Sequence, residues 1–226
     1  MSFEQSEAIV LRKVDFSETS RIVTFLTPQR GRFACMVKGA RRKGSPMVAL
    51  LDTYNQLEIT YIWKESRQVQ LLTEASLLDG FDAIKATIEH IACAAFLLEI
   101  AGLIAQENNP APELFDASVK GLQVLAKTTQ SPFISLIPAA YTLFEVAGIA
   151  PDPEEESCFE YILPSFAPDE REDVRQMLLD IIAGRQITAP EQFRLLLRFL
   201  NEYGVYHLER RLKSYSFLAS LAASTQ

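Results

Sequence analysis

The 226-residue sequence predicts an α+β fold: an N-terminal five-stranded β-barrel of the OB type, followed by an α-helical domain. Two observations carry this. Apolar residues alternate in short, turn-punctuated runs up to about residue 80, and from about residue 81 they recur every three to four positions. We place the barrel at residues 1–80 and the helical domain at 81–226, with an irregular insert at about 150–167.

The strands follow from local composition. Ala8–Val14 and Arg21–Thr27 are rich in β-branched residues, which suit a pleated, half-buried surface. Pro28-Gln29-Arg30-Gly31 is a turn, with Gly31 free to take positive φ, and Arg32–Lys38 continues from it. Thr53–Trp63 places Leu57, Ile59 and Tyr61 on one face and Glu58, Thr60 and Ile62 on the other. Lys64-Glu65-Ser66-Arg67 turns the chain into Val69–Glu74. Five strands with short turns suit a small, strongly curved sheet. Between strands three and four, Gly39–Pro46 reads as a flexible basic loop.

In the second part, Ile84, Ile88, Ile91, Ala95, Leu98 and Gly102 mark a helix that is apolar on its other side too, hence central to its domain. Asn108-Asn109-Pro110 stops it. A helix follows at Pro112–Lys127, then one capped by Ser131-Pro132 and ended at Gly148. Residues 150–167 carry three prolines and the acidic run Glu154-Glu155-Glu156. Val174, Met177, Leu178, Ile181 and Ile182 form another helix. Thr188-Ala189-Pro190-Glu191 has the form of a capping box before a last helix expected to reach Lys213.

Charge divides the chain. Residues 1–80 hold 11 Lys/Arg against 9 Asp/Glu, and residues 81–226 hold 11 against 20. Within residues 12–43, Arg12, Lys13, Arg21, Arg30, Arg32, Lys38, Arg41, Arg42 and Lys43 face only Asp15 and Glu18 in sequence. Such asymmetry points to a polyanionic partner at the basic end. Nucleic-acid binding needs several cations on one surface, because each neutralised phosphate releases counterions. In a small barrel these nine can converge on one side. Phe16, Phe25, Phe33, Tyr54, Tyr61 and Trp63 interleave with them, and bases could stack on any that are exposed. The competing reading is a solvated face over an aromatic core.

Other chemistries find less support. Gly39–Ser45 resembles a phosphate loop, but Ser45 stands where a lysine is needed and Pro46 opposes a helix start. Cys35, Cys93 and Cys158 are far apart, so neither a disulfide framework nor a zinc ligand set is indicated. No nucleophile elbow is present, and neither His90 nor His207 sits in a triad motif. The start lacks the features of a signal peptide, and the apolar stretch Ile91–Ala105, interrupted by Glu99, is too short to span a membrane. The expectation is a soluble, cytoplasmic, non-enzymatic protein. Arg194 and Arg198 share a helix face beside Leu195 and Phe199 and could hold an acidic peptide with an apolar end; pairing with Glu191 and Glu202 is the plainer alternative.

These residues also carry a resemblance. Ala8-Ile9-Val10-Leu11-Arg12-Lys13, Phe16 through Thr27, Arg30-Gly31-Arg32 and Lys38 through Arg42 resemble the opening of the RecO family of bacterial recombination mediators. Phe144 through Pro151 resembles that family's helix end before its zinc module, and His207–Ser214 with Phe217-Leu218 is similar to its C-terminal helix. The resemblance implies an OB-fold and a helical domain. It also implies binding of single- and double-stranded DNA, annealing of complementary strands, and nucleoid association. Its implied partners are RecR and the C-terminal tail of single-strand-binding protein, with a functional link to RecA loading. The DNA role carries over to Arg12, Arg21, Arg32, Lys38, Arg41 and Arg42; Lys13, Arg30 and Lys43 join them by charge and position. Family members often carry a four-cysteine zinc module; with only Cys158 in that region, the expectation here is no cofactor. The rival class is a protein–protein adaptor whose barrel and helices bind partners without touching DNA; a metal-dependent hydrolase is a third.

Overall fold

A computed structural model describes residues 1–155, 159 and 164–224. The chain divides into two compact units, one formed by Met1–Asp82 with Ala105–Leu122, the other by Ala83–Ile104 with the chain from Gln123 onward.

The first unit is built on β1 (Ser2–Asp15), β2 (Arg21–Thr27), β3 (Gly31–Val37), β4 (Gln56–Trp63) and β5 (Val69–Asp79), closed into a barrel in the order β1-β2-β3-β5-β4. This is the OB-fold. One long strand makes closure possible: β1 pairs with β4 from Ser2 to Ile9 and with β2 from Ile9 to Asp15, with a bulge between Val10 and Arg12. A bulge bends a strand and sharpens its twist, so β1 serves both halves of the sheet. Three parallel pairs, Ala34–Val69, Cys35–Gln70 and Met36–Leu71, close the ring.

Alternation puts Ala8, Val10, Val23, Phe25, Phe33, Cys35, Leu57, Ile59, Tyr61 and Trp63 inside. Phe33 is the hub of the aromatic core, with its centroid 4.8 Å from Tyr61 and 5.7 Å from Trp63. The short helix α1 (Met47–Leu50) leads to Leu51, which is fully buried with Ala40 in the same core.

β1 begins six residues before the expected strand. Its first half escapes hydrophobic pattern reading because its inward positions are polar. Ser6 donates to Gln29 Oε1 at 2.6 Å, and Glu4 receives Arg30 and Tyr61. β5 runs past the expected Glu74 to Asp79, exposed beyond Ala75 and paired there only with β4.

Gly31 explains how Ala105–Leu122 joins the barrel. Its φ is +57°, and a Cβ there would lie 2.2 Å from the Asn109 carbonyl oxygen. Glycine alone permits this approach. Around it, Arg32 N donates to Gln106 O, Asn108 N to Arg32 O and Ala111 N to Pro28 O, at 3.1, 3.2 and 2.9 Å. The expected Pro112–Lys127 helix is α3.

The second unit is built around α2 (Ile88–Ile104), preceded by a 3₁₀ turn at Ile84–Ala86. The apolar periodicity spans both, but Thr87 has extended backbone and separates them. Buried α2 residues lie on every side, from Ala92 through Leu98 to Ala101, as expected of a central helix. Against it pack α4 (Pro132–Val146), α6 (Pro190–Leu208) and α7 (Tyr215–Ser224), while α5 (Pro168–Ile182) packs on α6. Phe133 stacks on Phe193 with centroids 4.7 Å apart, and Tyr203 donates to the Ile149 carbonyl at 2.8 Å.

Three helix-end expectations are corrected. Ser131 makes no side-chain cap hydrogen bond, and α6 is preceded by Ala189 rather than capped by Thr188. A glutamate cap occurs instead before α5, where Glu170 accepts the Ala167 N–H at 2.9 Å. The last helix does not reach Lys213: Glu209 takes φ +52°, α6 stops at Leu208, and a separate α7 follows.

Glu99, the one charge within the apolar run of α2, accounts for the start of α7. Its carboxylate accepts the backbone N–H of Lys213 and of Ser214, each at 2.8 Å, and the Ser214 hydroxyl at 2.5 Å. A carboxylate at a helix N-terminus satisfies orphan donors and favours the dipole. Replacing Glu99 by Ala is expected to destabilise the protein by about 1–3 kcal/mol, read as a lower urea midpoint at unchanged slope; an unaltered midpoint would show the cap to be energetically idle.

Candidate nucleic-acid interface

β2 and β3 form a hairpin with two unlike ends. At its open end, β1 finishes, β2 starts and β3 finishes, so the β1–β2 loop (16–20) and the 38–46 loop lie together. Arg41 joins them: its backbone N–H donates to Thr19 O at 3.1 Å and its Nη1 to Ser17 O at 2.7 Å. Its Nε lies 3.2 Å from Asp15 Oδ2, while Arg21 Nε donates to Asp15 Oδ1 at 2.8 Å. Asp15 therefore bridges two guanidinium groups. The hydrogen bond from Arg21, reinforced by the charge of Arg41, holds its carboxyl below the usual aspartate value. Beside this group, Lys13 pairs with Asp52 at 2.6 Å.

The 38–46 loop is less free than its glycines suggest. Ala40 is fully buried in the barrel core, Arg42 N donates to Gly39 O at 3.1 Å and Ser45 N to Arg42 O at 3.0 Å. Gly39 and Gly44 both take positive φ, which turns the chain around this anchor. Lys38, Arg42 and Lys43 project from it, exposed and in no ion pair with the described residues. This end gathers Lys13, Arg21, Lys38, Arg41, Arg42 and Lys43 against Asp15, Glu18 and Asp52. Arg12, opposite Thr24, is exposed on the outer wall of the barrel close by.

Arg30 and Arg32 lie elsewhere, at the turn end of the hairpin, six strand steps or about 20 Å away. Each is engaged within the molecule. Arg30 holds Glu4 through Nη2 at 2.7 Å and Nε at 3.1 Å, and lies 4.3 Å over the Trp63 ring. That hydrogen bond is the main reason the Glu4 carboxyl sits below its usual value. Arg32 Nη2 lies 3.3 Å from Glu107 Oε1. The nine cations thus form two groups rather than one.

The aromatics divide as well. Phe25, Phe33, Tyr61 and Trp63 are core, Tyr54 is half-buried with φ +76°, and Phe16 is 59 % exposed in the β1–β2 loop. The residues that sequence reasoning missed at this site are Asp52, which lies in a distant turn, and the bridging role of Asp15, which appears only once Arg21 and Arg41 meet in space.

Residues 1–81 match the family model described as recombination protein O, N terminal, and residues 85–163 match its C-terminal counterpart. The chain belongs to the RecO family. Among its relatives, the DNA repair protein RecO of Rhodopirellula baltica is 38 % identical over 118 residues, which is 52 % of this chain and 44 % of the relative. That of Salinibacter ruber is 31 % identical over 155 residues, 66 % and 58 % of the two chains. The chain spans about half the length of the relatives it matches.

Cys158 lies outside the described residues. Cys35 and Cys93 are buried in separate units, with burial pushing both thiols well up, so neither is poised as a thiolate ligand. Among the described residues no three His, Cys, Asp or Glu side chains cluster for a metal, and no described helix is long and apolar enough to cross a membrane. These donors do not fit a four-ligand zinc site.

Of the two α6 arginines, Arg194 is exposed and Arg198 is occupied. Arg198 pairs with Glu170 at 3.2 Å and Glu202 at 3.4 Å, donates to Ser165 O at 2.8 Å and covers the Phe166 ring at 4.0 Å. Phe199 is fully buried, so it lines no open groove there.

The Asp15 bridge has a pH signature. A carboxyl depressed in the folded state contributes stability above its unfolded value and loses it as pH falls through the folded value. NMR titration of the Asp15 carboxyl is expected to give an inflection below the ordinary aspartate value, returning towards it in Arg21→Ala. An ordinary inflection in the unmodified protein would remove the bridge.

Proposed function

We propose that this chain is a non-enzymatic recombination mediator in DNA repair. It would bind single- and double-stranded DNA through the open end of the β2–β3 hairpin and bring complementary strands together. The observation that supports it best is the grouping of six cations against three carboxylates there, four of them on a loop held in place by Ala40 and Arg41. Lys38, Arg42 and Lys43 serve as the phosphate contacts, and Arg12 extends them along the outer wall. Arg41 and Arg21 act chiefly as positioning residues around Asp15. Cations laid along a strand lower the repulsion between two polyanions, so two complementary strands can approach and pair with no bond to the protein made or broken.

In this reading Arg30 and Arg32 serve the barrel rather than the DNA, since Glu4 and Glu107 already neutralise them. RecR and the C-terminal tail of single-strand-binding protein are the partners that family membership brings to the proposal, with RecA loading as the outcome. Exposed Arg194 is the α6 residue left for the acidic tail. The chain works without structural zinc; elemental analysis of purified protein should find well under one equivalent, and a stoichiometric metal would contradict this.

A second reading has its own support. The outer face of the β1–β4–β5 sheet exposes Glu7, Glu58 and Glu74 with Phe3 and Leu78, and no Lys or Arg lies in Ser2–Leu11, Gln56–Trp63 or Val69–Asp79. Such a face suits a protein partner, as the adaptor alternative requires, and both readings can hold on opposite sides of one barrel.

The test is DNA binding across a salt series. Replacing Lys38, Arg42 and Lys43 by Ala should weaken binding to all sequences alike and flatten the slope of log K against log salt by about 2–3, for three lost phosphate contacts. Replacing Arg30 should leave that slope nearly unchanged. An unaltered slope in the triple variant excludes the loop from the interface.

A further inference from the structure

We propose that Phe16 is a base-stacking contact that makes this site selective for unpaired strands, an inference that rests on the DNA-binding reading above. Phe3 is 74 % exposed, but it stands opposite Ile62 on the sheet face whose exposed charges are Glu7, Glu58 and Glu74. A polyanion would be repelled there. Phe16 is 59 % exposed, in a loop whose Ser17 and Thr19 carbonyls are held by Arg41.

The loop that carries Phe16 is held still. Phe16 N donates to Ser20 O at 3.1 Å, Ser17 N to Ser20 O at 3.4 Å, and Ser20 N to Ser17 Oγ at 3.2 Å. On the other side Arg41 grips Ser17 O and Thr19 O. The backbone that carries the ring is thereby fixed to the same anchor as Arg42 and Lys43. A ring on an ordered backbone loses less conformational freedom when a base covers it than one on a wandering loop. The four core aromatics are packed on one another inside the barrel and can receive no base.

Bases in a duplex present their faces to each other, whereas an unpaired base has a free face for an aromatic ring. The cations near Phe16 take either form through its phosphates; Phe16 adds affinity only where a base is unstacked. One aromatic stack is worth roughly 5- to 100-fold in binding. The same contact turns the bases of a captured strand away from a neighbouring strand until a complement displaces the ring, so the stack would be made on capture and released on pairing.

Three probes separate the parts: an oligothymidylate, the same backbone with abasic residues throughout, and a duplex of equal length. Phe16→Ala should lose about 5- to 100-fold on oligothymidylate and less than about twofold on the other two, with its melting temperature unchanged because the ring is exposed. Phe16→Trp should restore binding, and its fluorescence should be quenched by oligothymidylate and not by the abasic strand; Trp63, 4 % exposed, stays silent. Equal loss on all three probes, or no loss on any, overturns the stacking role while leaving the phosphate contacts intact. Failure of the unmodified protein to bind any probe overturns the DNA-binding reading itself, and the stack with it.

Discussion

The ion bridge from Asp15 to Arg21 and Arg41 is the constraint on which the barrel's basic end depends. Each pair is partly exposed, and a lone surface ion pair contributes little stability. Its importance is geometric. Asp15 ends β1, Arg21 starts β2, and Arg41 belongs to the loop after β3. One carboxylate thus ties three chain segments, and the two backbone carbonyls held by Arg41 complete the tie. Two loops that could wander independently are fixed against each other, so the cations of the 38–46 loop form a lasting pattern of charge. The cost is partial neutralisation of two cations, which leaves the exposed Lys38, Arg42 and Lys43 as the outward charge.

The opposite end of the hairpin uses the same chemistry to another end. Arg30 is locked to Glu4 and laid over Trp63, and Arg32 joins the Gln106–Ala111 segment to the barrel. There the arginines hold the fold together. The distinction between an anchoring and a presented cation lies in whether a carboxylate from a distant part of the chain reaches it. A barrel that acts as proposed needs both kinds, since phosphate contacts on an unanchored loop would lose much of their affinity to ordering.

Much of the fold was legible because its signals are local. Alternation in β4, the β-branched run in β2 and the Pro28–Gly31 turn marked the barrel, and the four-and-three spacing marked α2. What escaped was set by distant partners. The first half of β1 points Glu4 and Ser6 inward because Arg30, Tyr61 and Gln29 satisfy them, so no hydrophobic period announces a strand. The break after α6 depends on Glu99, more than a hundred residues earlier in the chain. For the site, the basic cluster of residues 12–43 was visible as composition. Its division into two groups was not, because nearness in sequence does not reveal which end of a hairpin a residue occupies, nor that Glu107 would reach Arg32.

A titration of isotopically labelled protein with oligothymidylate, followed by amide chemical shifts, tests the central claim most directly. The largest shifts are expected at Lys13–Arg21 and Lys38–Ser45, with Arg30, Arg32 and Gln106–Ala111 near their free values. Shifts concentrated at the Arg30–Arg32 turn, or spread evenly around the barrel, would contradict it.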